Sequence, residues 1–274
     1  MIYDGFAFFN ELELLEIRLN VLDQVVDKFI LVESRQTFTK KPKPLYFEEN
    51  KMRFAPFLHK IEHIIIEKFP SWRWDKFRVP HAWDCGNYQK EQITRGLKNF
   101  KRGDVLIVSD VDEIPNPDKV RSEAGKPGIH VFEQLYANYF LNTFSVIGPN
   151  DSPNWWYGSV MLNYSDFSSI KKTRLYRGKR EKGIIVHPNG GWHFSFLGDW
   201  KKIVEKLGAF EHTEFDTDYH KNPERVQKII EEGGDLFDSG SRFKSFDPFI
   251  YLPVYVAKNI NLYSDLINKN IVKS

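Results

Sequence analysis

Three acidic residues stand together directly after the most apolar short run of the sequence. Asp110, Asp112 and Glu113 follow Val-Leu-Ile-Val-Ser at 105–109, a run typical of a buried strand. Ligands of open α/β sheets bind beyond the carboxyl ends of the strands, and an extended chain would place Asp110 and Asp112 on one side. Two such carboxylates repel each other unless a cation lies between them, and oxygen ligands of this kind suit Mg²⁺ or Mn²⁺. The sequence therefore predicts a divalent metal site that could hold a diphosphate; the alternative is a solvated acidic turn.

Three tryptophans are candidates for contacting a sugar. The chain is 15% aromatic, with 23 Phe, 12 Tyr and 7 Trp. Trp155 and Trp156 lie beside a segment rich in turn-forming residues at 149–153, and Trp192 follows two glycines. We predict that these rings stack on a glycan acceptor. Packing in the core or beneath a loop is the alternative for each.

The elements that must position these residues alternate over the first 115 residues. Apolar patterning predicts strands at the chain start and at 28–33, 61–67 and 104–109, and helices at 12–26, 51–58 and 86–100. Asn10 is a plausible N-cap for the first helix. This order predicts an α/β fold with a mostly parallel sheet and helices on its faces.

The second half of the chain is less regular. Strands are predicted at 129–141, 159–164, 182–186 and 192–196, with a turn-rich segment at 142–158. Helices are predicted at 200–207 and 223–232, followed by an aromatic tail with a weak final helix at 263–268. We find no repeat or long linker, so the sequence predicts one domain over 1–274.

Composition excludes several classes of protein. The 274 residues carry 39 Lys plus Arg against 37 Asp plus Glu, a net charge of +2, which disfavours a nucleic-acid-binding function. Cys85 is the only cysteine, so an intrachain disulfide and a Cys-rich zinc site are both impossible. No apolar run reaches the ~18 residues of a membrane span, and the first residues do not resemble a signal peptide. We therefore predict a soluble, cytoplasmic protein without a transmembrane segment.

Five segments, in order along residues 2–240, resemble glycosyltransferase family 17. They are Tyr3-Asp-Gly-Phe-Ala-Phe-Phe-Asn-Glu-Leu-Glu-Leu-Leu-Glu-Ile-Arg-Leu19, Phe29-Ile-Leu-Val-Glu-Ser34, Lys41-Pro-Lys-Pro-Leu-Tyr-Phe47, Ser109-Asp-Val-Asp-Glu-Ile-Pro115 and Gly191-Trp-His-Phe-Ser195. The resemblance implies a GT-A type fold, a UDP-sugar donor (UDP-GlcNAc) and inversion at the anomeric carbon. It also implies a nucleotide-sugar-binding half at 1–115, an acceptor and metal half at 116–240, and a C-terminal tail at 241–274.

The same resemblance assigns roles to individual residues. Asp110 and Asp112 match the family's Asp-x-Asp motif and are expected to hold the metal and the donor diphosphate. His193 is expected to be a further metal ligand, although a lone histidine in a strand is often structural. Asn10, Glu11 and Glu33 are also expected to bind the donor, because they occupy strand ends where GT-A enzymes bind the nucleotide. The alternative for Asn10 and Glu11 is helix capping, and the alternative for Glu33 is a surface charge.

Three further residues are candidates for chemistry or for phosphate binding. Glu113 would orient the donor sugar or a metal-bound water, or only cap the loop. Glu214 in His-Thr-Glu-Phe (212–215) is a candidate general base for the acceptor hydroxyl, with His212 orienting it. Arg95 would contact the donor phosphate or ribose through its guanidinium, and a solvated helix face is the alternative.

These observations predict a metal-dependent inverting glycosyltransferase that moves a sugar from a UDP-sugar to a glycan hydroxyl. Two alternatives remain open at the level of sequence. One is a non-catalytic glycan-binding module on the same fold, which the aromatic segments would suit. The other is a metal-dependent nucleotidyltransferase or phosphodiesterase, which would also use acidic residues at a strand end.

Overall fold

The computed structural model of the chain describes residues 1–70, 82–179, 181–209 and 211–271. The first part of the fold is a four-stranded parallel sheet with crossover helices. Its elements are β1 (Ile2–Phe8), α1 (Leu12–Leu22), β2 (Lys28–Ser34), α2 (Tyr46–Glu49), β3 (Ile61–Ile66), α3 (Ala82–Glu91) and β4 (Val105–Asp110). The strands lie in the order β3-β2-β1-β4, and all three pairings are parallel. The predicted alternation and the parallel sheet are therefore confirmed.

The middle of the chain adds mostly antiparallel pairings to this sheet. Its elements are β5 (Glu113–Pro115), α4 (Pro117–Glu123), β6 (Ile129–Tyr139), β7 (Thr143–Ile147), β8 (Ser152–Pro153), β9 (Trp155–Asn163), α5 (Ile170–Leu175), β10 (Ile184–His187) and β11 (Gly191–Leu197). Strand β9 joins β4 to β6 through antiparallel pairs on both of its edges. Strand β11 runs parallel to β6 and antiparallel to the short β5.

The last part of the chain packs against α1 and against strands of the second half of the fold. It contains α6 (Trp200–Leu207), α7 (Pro223–Glu232), β12 (Arg242–Ser245), α8 (Pro248–Tyr251) and α9 (Val254–Lys258). Strand β12 pairs with β7, so the described strands form one mixed sheet in the order β12-β7-β6-β9-β4-β1-β2-β3, with β5, β8, β10 and β11 attached to it. Within the described ranges, no helix is long and apolar enough to cross a membrane.

Side-chain alternation along the parallel strands builds a core on each face of the sheet. In β2, Phe29 and Leu31 join the core cluster that contains the apolar face of α1, whereas Ile30 and Val32 join the cluster on the opposite face with Cys85 of α3. Successive residues of a strand point to opposite faces, so a strand covered on both sides reads as a continuous apolar run. The result is a mixed α/β fold with a central sheet flanked by helices, consistent with the predicted GT-A type.

The structure corrects the predicted bounds of several elements. Helix α1 ends at Leu22 rather than at Val26, and its N-cap residue is Glu11 rather than Asn10. The helix predicted at 86–100 begins at Ala82, and after Glu91 it continues as a 3₁₀ helix over Gln92–Gly96. The segment predicted as turns at 142–158 contains β7, β8 and the start of β9. Turn-forming residues at 148–151 hid these short strands, because they mark a tight connection between β7 and β8 rather than a long loop.

Candidate active site

The acidic loop, residues 110–113, is fixed by the strand pairing that follows it. Strand β4 ends at Asp110, and β5 then pairs with β11 so that Glu113 lies opposite His193. The amide of Phe194 also donates to the carbonyl oxygen of Asp112 at 2.9 Å. Gly191 makes this close approach possible, since its φ is +133° and a Cβ there would collide with the carbonyl oxygen of Ile114. The backbone therefore brings the acidic loop and the predicted histidine into one place.

Arg18 holds the acidic loop from beneath. Its side chain is fully buried, and its Nη1 donates to the carbonyl oxygens of Asp110 at 3.0 Å and Glu113 at 2.8 Å. Its Nε and Nη2 bind the two oxygens of the buried Asp4 carboxylate at 2.8 and 2.6 Å. A guanidinium offers five donors in a fixed plane, so one side chain satisfies both a carboxylate and a turn of backbone.

Glu113 is the centre of a dense ion-pair network. It is 1% exposed and accepts from Arg174 Nη1 at 2.5 Å, Arg177 Nη1 at 2.8 Å and Trp156 Nε1 at 2.9 Å. Burial raises the pKa of Glu113, but the positive charges of Arg174 and Arg177 outweigh burial and hold it well below its usual range. The carboxylate is therefore ionised at neutral pH, and both of its oxygens are engaged in positioning the residues around it.

Asp110 lies between two cations at the edge of the same network. Its Oδ2 is paired with Nη2 of Arg174, and its Oδ1 lies 3.3 Å from Nζ of Lys90. Burial raises the pKa of Asp110, but the charges of Arg174 and Lys90 lower it overall. Lys90 also donates to Glu211 at 2.9 Å. The first aspartate of the motif is thus already neutralised by protein cations.

Asp112 and His193 face each other without a direct hydrogen bond. Asp112 Oδ1 lies 3.7 Å from His193 Nε2, which is less than the sum of two metal–ligand bonds of about 2.1 Å each. Burial raises the pKa of Asp112 and lowers that of His193, so the imidazole is neutral and has a lone pair to offer. His193 Nδ1 is buried and has no hydrogen-bond partner among the described residues. This donor pair fits a divalent cation. Both oxygens of Asp110 are engaged by Arg174 and Lys90, so Asp110 could become a third ligand only by exchanging one of these partners.

Lys206 links this pair to the start of α1. Its Nζ lies 3.3 Å from Asp112 Oδ2 and 3.2 Å from Glu11 Oε1. Burial lowers the pKa of Lys206, but the two carboxylates raise it overall, so the ammonium stays charged. Lys206 therefore occupies one oxygen of Asp112, and a cation bound at Asp112 would compete with it.

The acidic loop, His193 and Lys206 line one cavity of about 290 Å³, whereas Arg18 and Arg174 are not part of its described lining. Of the predicted residues, the described lining of this cavity includes Glu11, Asp110, Asp112, Glu113, Trp156 and His193. The same cavity also takes in residues that the sequence did not single out for a site, notably Gln36, Phe38, Lys43, Trp83, Lys90, Arg177, Lys206 and Glu211. The basic residues among them lie on loops and helices far apart in sequence. No pattern of neighbouring residues distinguishes them from ordinary solvated lysines and arginines.

The other predicted residues lie outside the described lining of this cavity. Asn10 lines a neighbouring cavity of about 310 Å³ that shares Glu11 and Lys206 with the first. Glu33 is fully buried and lies 3.1 Å from His63 Nε2 and 3.6 Å from Lys43 Nζ, so it reaches the first cavity only through Lys43. Arg95 turns away and donates to the carbonyl oxygen of Ile65 at 3.0 Å.

Two tryptophans and the predicted base also stand apart from the acidic loop. Trp192 donates from Nε1 to the carbonyl oxygen of Tyr251 at 2.6 Å, which ties β11 to α8. Trp155 is half-buried at the start of β9, opposite Leu135. Glu214 is exposed, and its Oε1 accepts a hydrogen bond from His212 Nδ1 at 2.7 Å. It is His212, rather than Glu214, that lines the cavity. Trp156, by contrast, is 39% exposed and lines the cavity beside His193.

The fold and this site define the chain as an α/β protein with a buried acidic loop beside a cation-rich cavity. Comparison with known sequences then gives its family: the chain belongs to glycosyltransferase family 17, whose sequence profile matches residues 1–261. The predicted family is therefore confirmed.

Relatives named β-1,4-mannosyl-glycoprotein 4-β-N-acetylglucosaminyltransferase from Rattus norvegicus and Homo sapiens are each 25% identical to this chain over 289 and 290 residues. These alignments cover 94% of this chain and 53% of each relative, so the chain spans about half the length of the curated relatives it matches.

Similarity to solved structures is distant. HddC from Yersinia pseudotuberculosis matches with a TM-score of 0.37 and 12% identity, over 69% of this chain and 90% of that chain. The inositol-1-phosphate CTP transferase from T. maritima matches with a TM-score of 0.31 and 13% identity, over 99% of this chain and 97% of that chain. Neither similarity supports a conclusion about the site.

Proposed function

We propose that this chain is a metal-dependent inverting glycosyltransferase that transfers GlcNAc from UDP-GlcNAc to a glycan hydroxyl. The observation that carries the proposal is the pair Asp112 and His193, 3.7 Å apart at the wall of a cavity that half-buried lysine and arginine side chains also line. Membership of glycosyltransferase family 17 supports the reaction type. The names of the matched relatives support GlcNAc as the transferred sugar. The cytoplasmic location expected from the composition stays a prediction.

Asp112, His193 and Asp110 are the residues that would hold Mn²⁺ or Mg²⁺. A bound divalent ion would bridge the donor diphosphate and stabilise its charge as it leaves. Burial disfavours the negative charge of Asp112, so a cation beside this carboxylate would be stabilising. Burial also keeps the imidazole of His193 neutral, with a lone pair available to the same cation.

Protein cations would share in binding the diphosphate. Lys90, Arg177 and Lys206 line the cavity, and each contacts a carboxylate of the site. A donor with two phosphate groups can take over these contacts by exchange, since guanidinium and ammonium groups bind phosphate oxygens as well as carboxylates. Fixed charges aimed at the departing diphosphate stabilise the transition state without reorganisation.

The nucleoside would lie toward the ends of β1 and β2. Glu11 lines the cavity at the start of α1, and Glu33 fixes Lys43, which lines the cavity as well. Asn10 lies beside Glu11 at the mouth of the adjoining cavity. Arg95 has no part in this proposal, because its guanidinium is bound to backbone outside the cavity.

The acceptor would approach past Trp156, the most exposed of the three predicted tryptophans at this site. Trp155 precedes it in β9, and Trp192 would support the wall from behind through its bond to α8. The inverting reaction needs a general base for the acceptor hydroxyl. We assign this role to the pair of His212 and Glu214, because His212 lines the cavity and Glu214 binds its Nδ1.

Calorimetry of the purified chain with UDP-GlcNAc, UDP-glucose, UDP-galactose and GDP-mannose tests the proposal. Each donor is titrated with Mn²⁺ and again with EDTA. We expect one UDP-sugar to bind tightly only with metal, and Asp112→Asn to abolish this binding. Asp118→Asn is the matched control, since its side chain is 84% exposed on α4.

Two outcomes would contradict the proposal. Binding of glycans with no binding of any nucleotide sugar would favour a glycan-binding module. Metal-dependent turnover of a nucleoside triphosphate, without transfer of sugar, would favour a nucleotidyltransferase.

A further inference from the structure

A second group of metal-binding side chains lies outside the described lining of both cavities. Glu123 at the end of α4, His130 in β6 and His187 at the end of β10 each offer one ligand atom, and these atoms all lie within 4.8 Å of one another. The three residues come from three elements that meet at the start of β6, where β10 pairs with it.

The two histidines lie end to end. His130 Nδ1 is 2.9 Å from His187 Nε2, the ring planes differ by 14° and the ring centroids are 5.1 Å apart. His130 Nε2 lies 3.3 Å from the carbonyl oxygen of Lys126. A carbonyl only accepts, so we assign the proton of His130 to Nε2, and its Nδ1 lone pair then faces His187. A backbone carbonyl that fixes the far nitrogen of a histidine is a common support for a metal-binding imidazole.

The two histidines are buried, and Glu123 is paired with a lysine that reaches into solvent. His130 is 1% exposed and His187 is 9% exposed. Glu123 binds Lys126 at 3.0 Å, and this hydrogen bond lowers the pKa of Glu123. The Lys126 side chain is 57% exposed, so its ammonium can move into water when a cation takes its place.

We propose that Glu123, His130 and His187 form a zinc-binding site, with water as the fourth ligand. Two imidazole nitrogens and one carboxylate oxygen are a donor set that suits Zn²⁺ better than Mg²⁺ or Ca²⁺. Binding requires His187 to shift its proton from Nε2 to Nδ1, with no net proton released. It also requires the two facing nitrogens, 2.9 Å apart, to turn and separate to about 3.3 Å, the spacing of two tetrahedral ligands at about 2.0 Å.

Zinc at this site would fasten α4 to the sheet. Helix α4 begins two residues after β5 and so directly follows the acidic loop. A metal bound to Glu123 at its far end would anchor the helix to both β6 and β10. The proposal does not depend on the proposed glycosyltransferase activity.

The test is zinc binding by the full chain, freed of metal with a chelator and then dialysed. ZnCl₂ is titrated by calorimetry, and thermal unfolding is followed with and without Zn²⁺. A parallel titration with Co²⁺ reports tetrahedral coordination through its visible absorption. We expect Zn²⁺ to raise the unfolding temperature, and Glu123→Gln and His187→Gln each to weaken binding by about tenfold or more.

Three controls separate this site from other places where zinc could bind. Asp112→Asn removes the proposed donor metal site and should leave the zinc-induced shift intact. His59→Ala removes an exposed histidine and should do the same. Glu123 is at the surface end of a helix, so Glu123→Gln keeps a folded protein available even if the histidine variants do not fold. The proposal is overturned if wild type shows no zinc-dependent shift, or if Glu123→Gln binds Zn²⁺ as tightly as wild type.

Discussion

Arg18 donates from Nη1 to the carbonyl oxygen of Glu113 at 2.8 Å, across 95 residues of sequence. Because the same guanidinium is paired with Asp4 at the centre of the sheet, the acidic loop is bound to the core and not only to its flanking strands. The position of the site carboxylates is therefore set before any ligand arrives.

Replacing Arg18 should be costly for stability. Arg18→Met leaves the buried Asp4 carboxylate without a partner, and we expect a loss of about 3–5 kcal/mol in the free energy of unfolding. Urea denaturation measures this loss. Arg53→Met is the matched control, since Arg53 is 33% exposed and paired with Glu16 at the surface, where such pairs contribute about 0–1 kcal/mol. Adding Asp4→Asn to Arg18→Met should recover part of the lost free energy of unfolding, because it removes the unpaired charge. If the losses of the two single variants simply add in the double variant, this explanation is wrong.

Glu113 should make the protein sensitive to acid. Its pKa is depressed in the folded state, so below its ordinary value of 4.5 the unfolded chain takes up a proton that the folded chain does not. Its contribution is complete above that value and is lost as the pH falls toward the folded pKa. Asp110, also depressed, acts in the same direction from 3.8 downward.

Glu113→Gln should therefore lower stability at neutral pH and flatten its dependence on pH in the acid range. Burial raises the pKa of Asp112, so Asp112 has the opposite effect on the pH dependence of stability. Because Asp112 is present in wild type and in Glu113→Gln, it does not cause the difference between them. Urea midpoints between about pH 3 and pH 7 would show the difference in slope. Equal slopes for the two proteins would mean that Glu113 is not the group responsible.

Lys206 should compete with a metal ion for Asp112. Lys206→Met frees Asp112 Oδ2, so we expect Mn²⁺ to bind more tightly. Without metal, we expect UDP to bind at least about tenfold more weakly, because the diphosphate loses a charged hydrogen-bond donor. Separate calorimetric titrations with Mn²⁺ and UDP measure both effects. Lys202→Met on the same helix is the control, because Lys202 is 55% exposed and pairs only distantly with Glu13 at 3.6 Å. Weaker binding of both ligands would instead indicate that the site has collapsed.

The roles of His212 and Glu214 can be distinguished by activity. If His212 takes the acceptor proton, His212→Gln should lower kcat by about 10²–10⁴-fold, and Glu214→Gln should lower it less, because Glu214 only orients the ring. KM for the donor should change little in either variant. Glu224→Gln, at an exposed position of α7, is the control. A larger loss in Glu214→Gln than in His212→Gln would make Glu214 the base, as the sequence alone predicted.

The parts of the fold that follow from local patterns could be predicted from sequence. The apolar runs of β2 and β4 predicted parallel strands, and the end of the β4 run predicted where the acidic loop lies. Both patterns could be recognised because each is contained within a few consecutive residues. The short strands at 142–158 were not predicted, because β8 has only two residues and turn-forming residues fill the connection between β7 and β8. Another partner of β7, strand β12, lies far along the chain, so no local pattern indicates that pairing.

The cations of the site were harder to predict for a related reason. Arg174, Arg177 and Lys206 look like ordinary solvated helix residues, and only tertiary contacts reveal that they face carboxylates. Arg18 did carry a signal, because it lies three residues after Leu15 and four before Leu22 and so shares the apolar face of α1. A charge at such a position indicates a buried partner.

The bonds of Arg18 also bear on how the chain folds as it is synthesised. Its partner Asp4 is translated before it, but the carbonyl oxygens of residues 110–113 emerge from the ribosome only some ninety residues later, at a sequence separation of 92–95. Until then, helix α1 can dock on the sheet only with guanidinium donors left unsatisfied, which is unfavourable in a core. An N-terminal fragment that stops short of Asp110 should therefore remain protease-sensitive, and resistance should appear only in nascent chains long enough to contain the acidic loop.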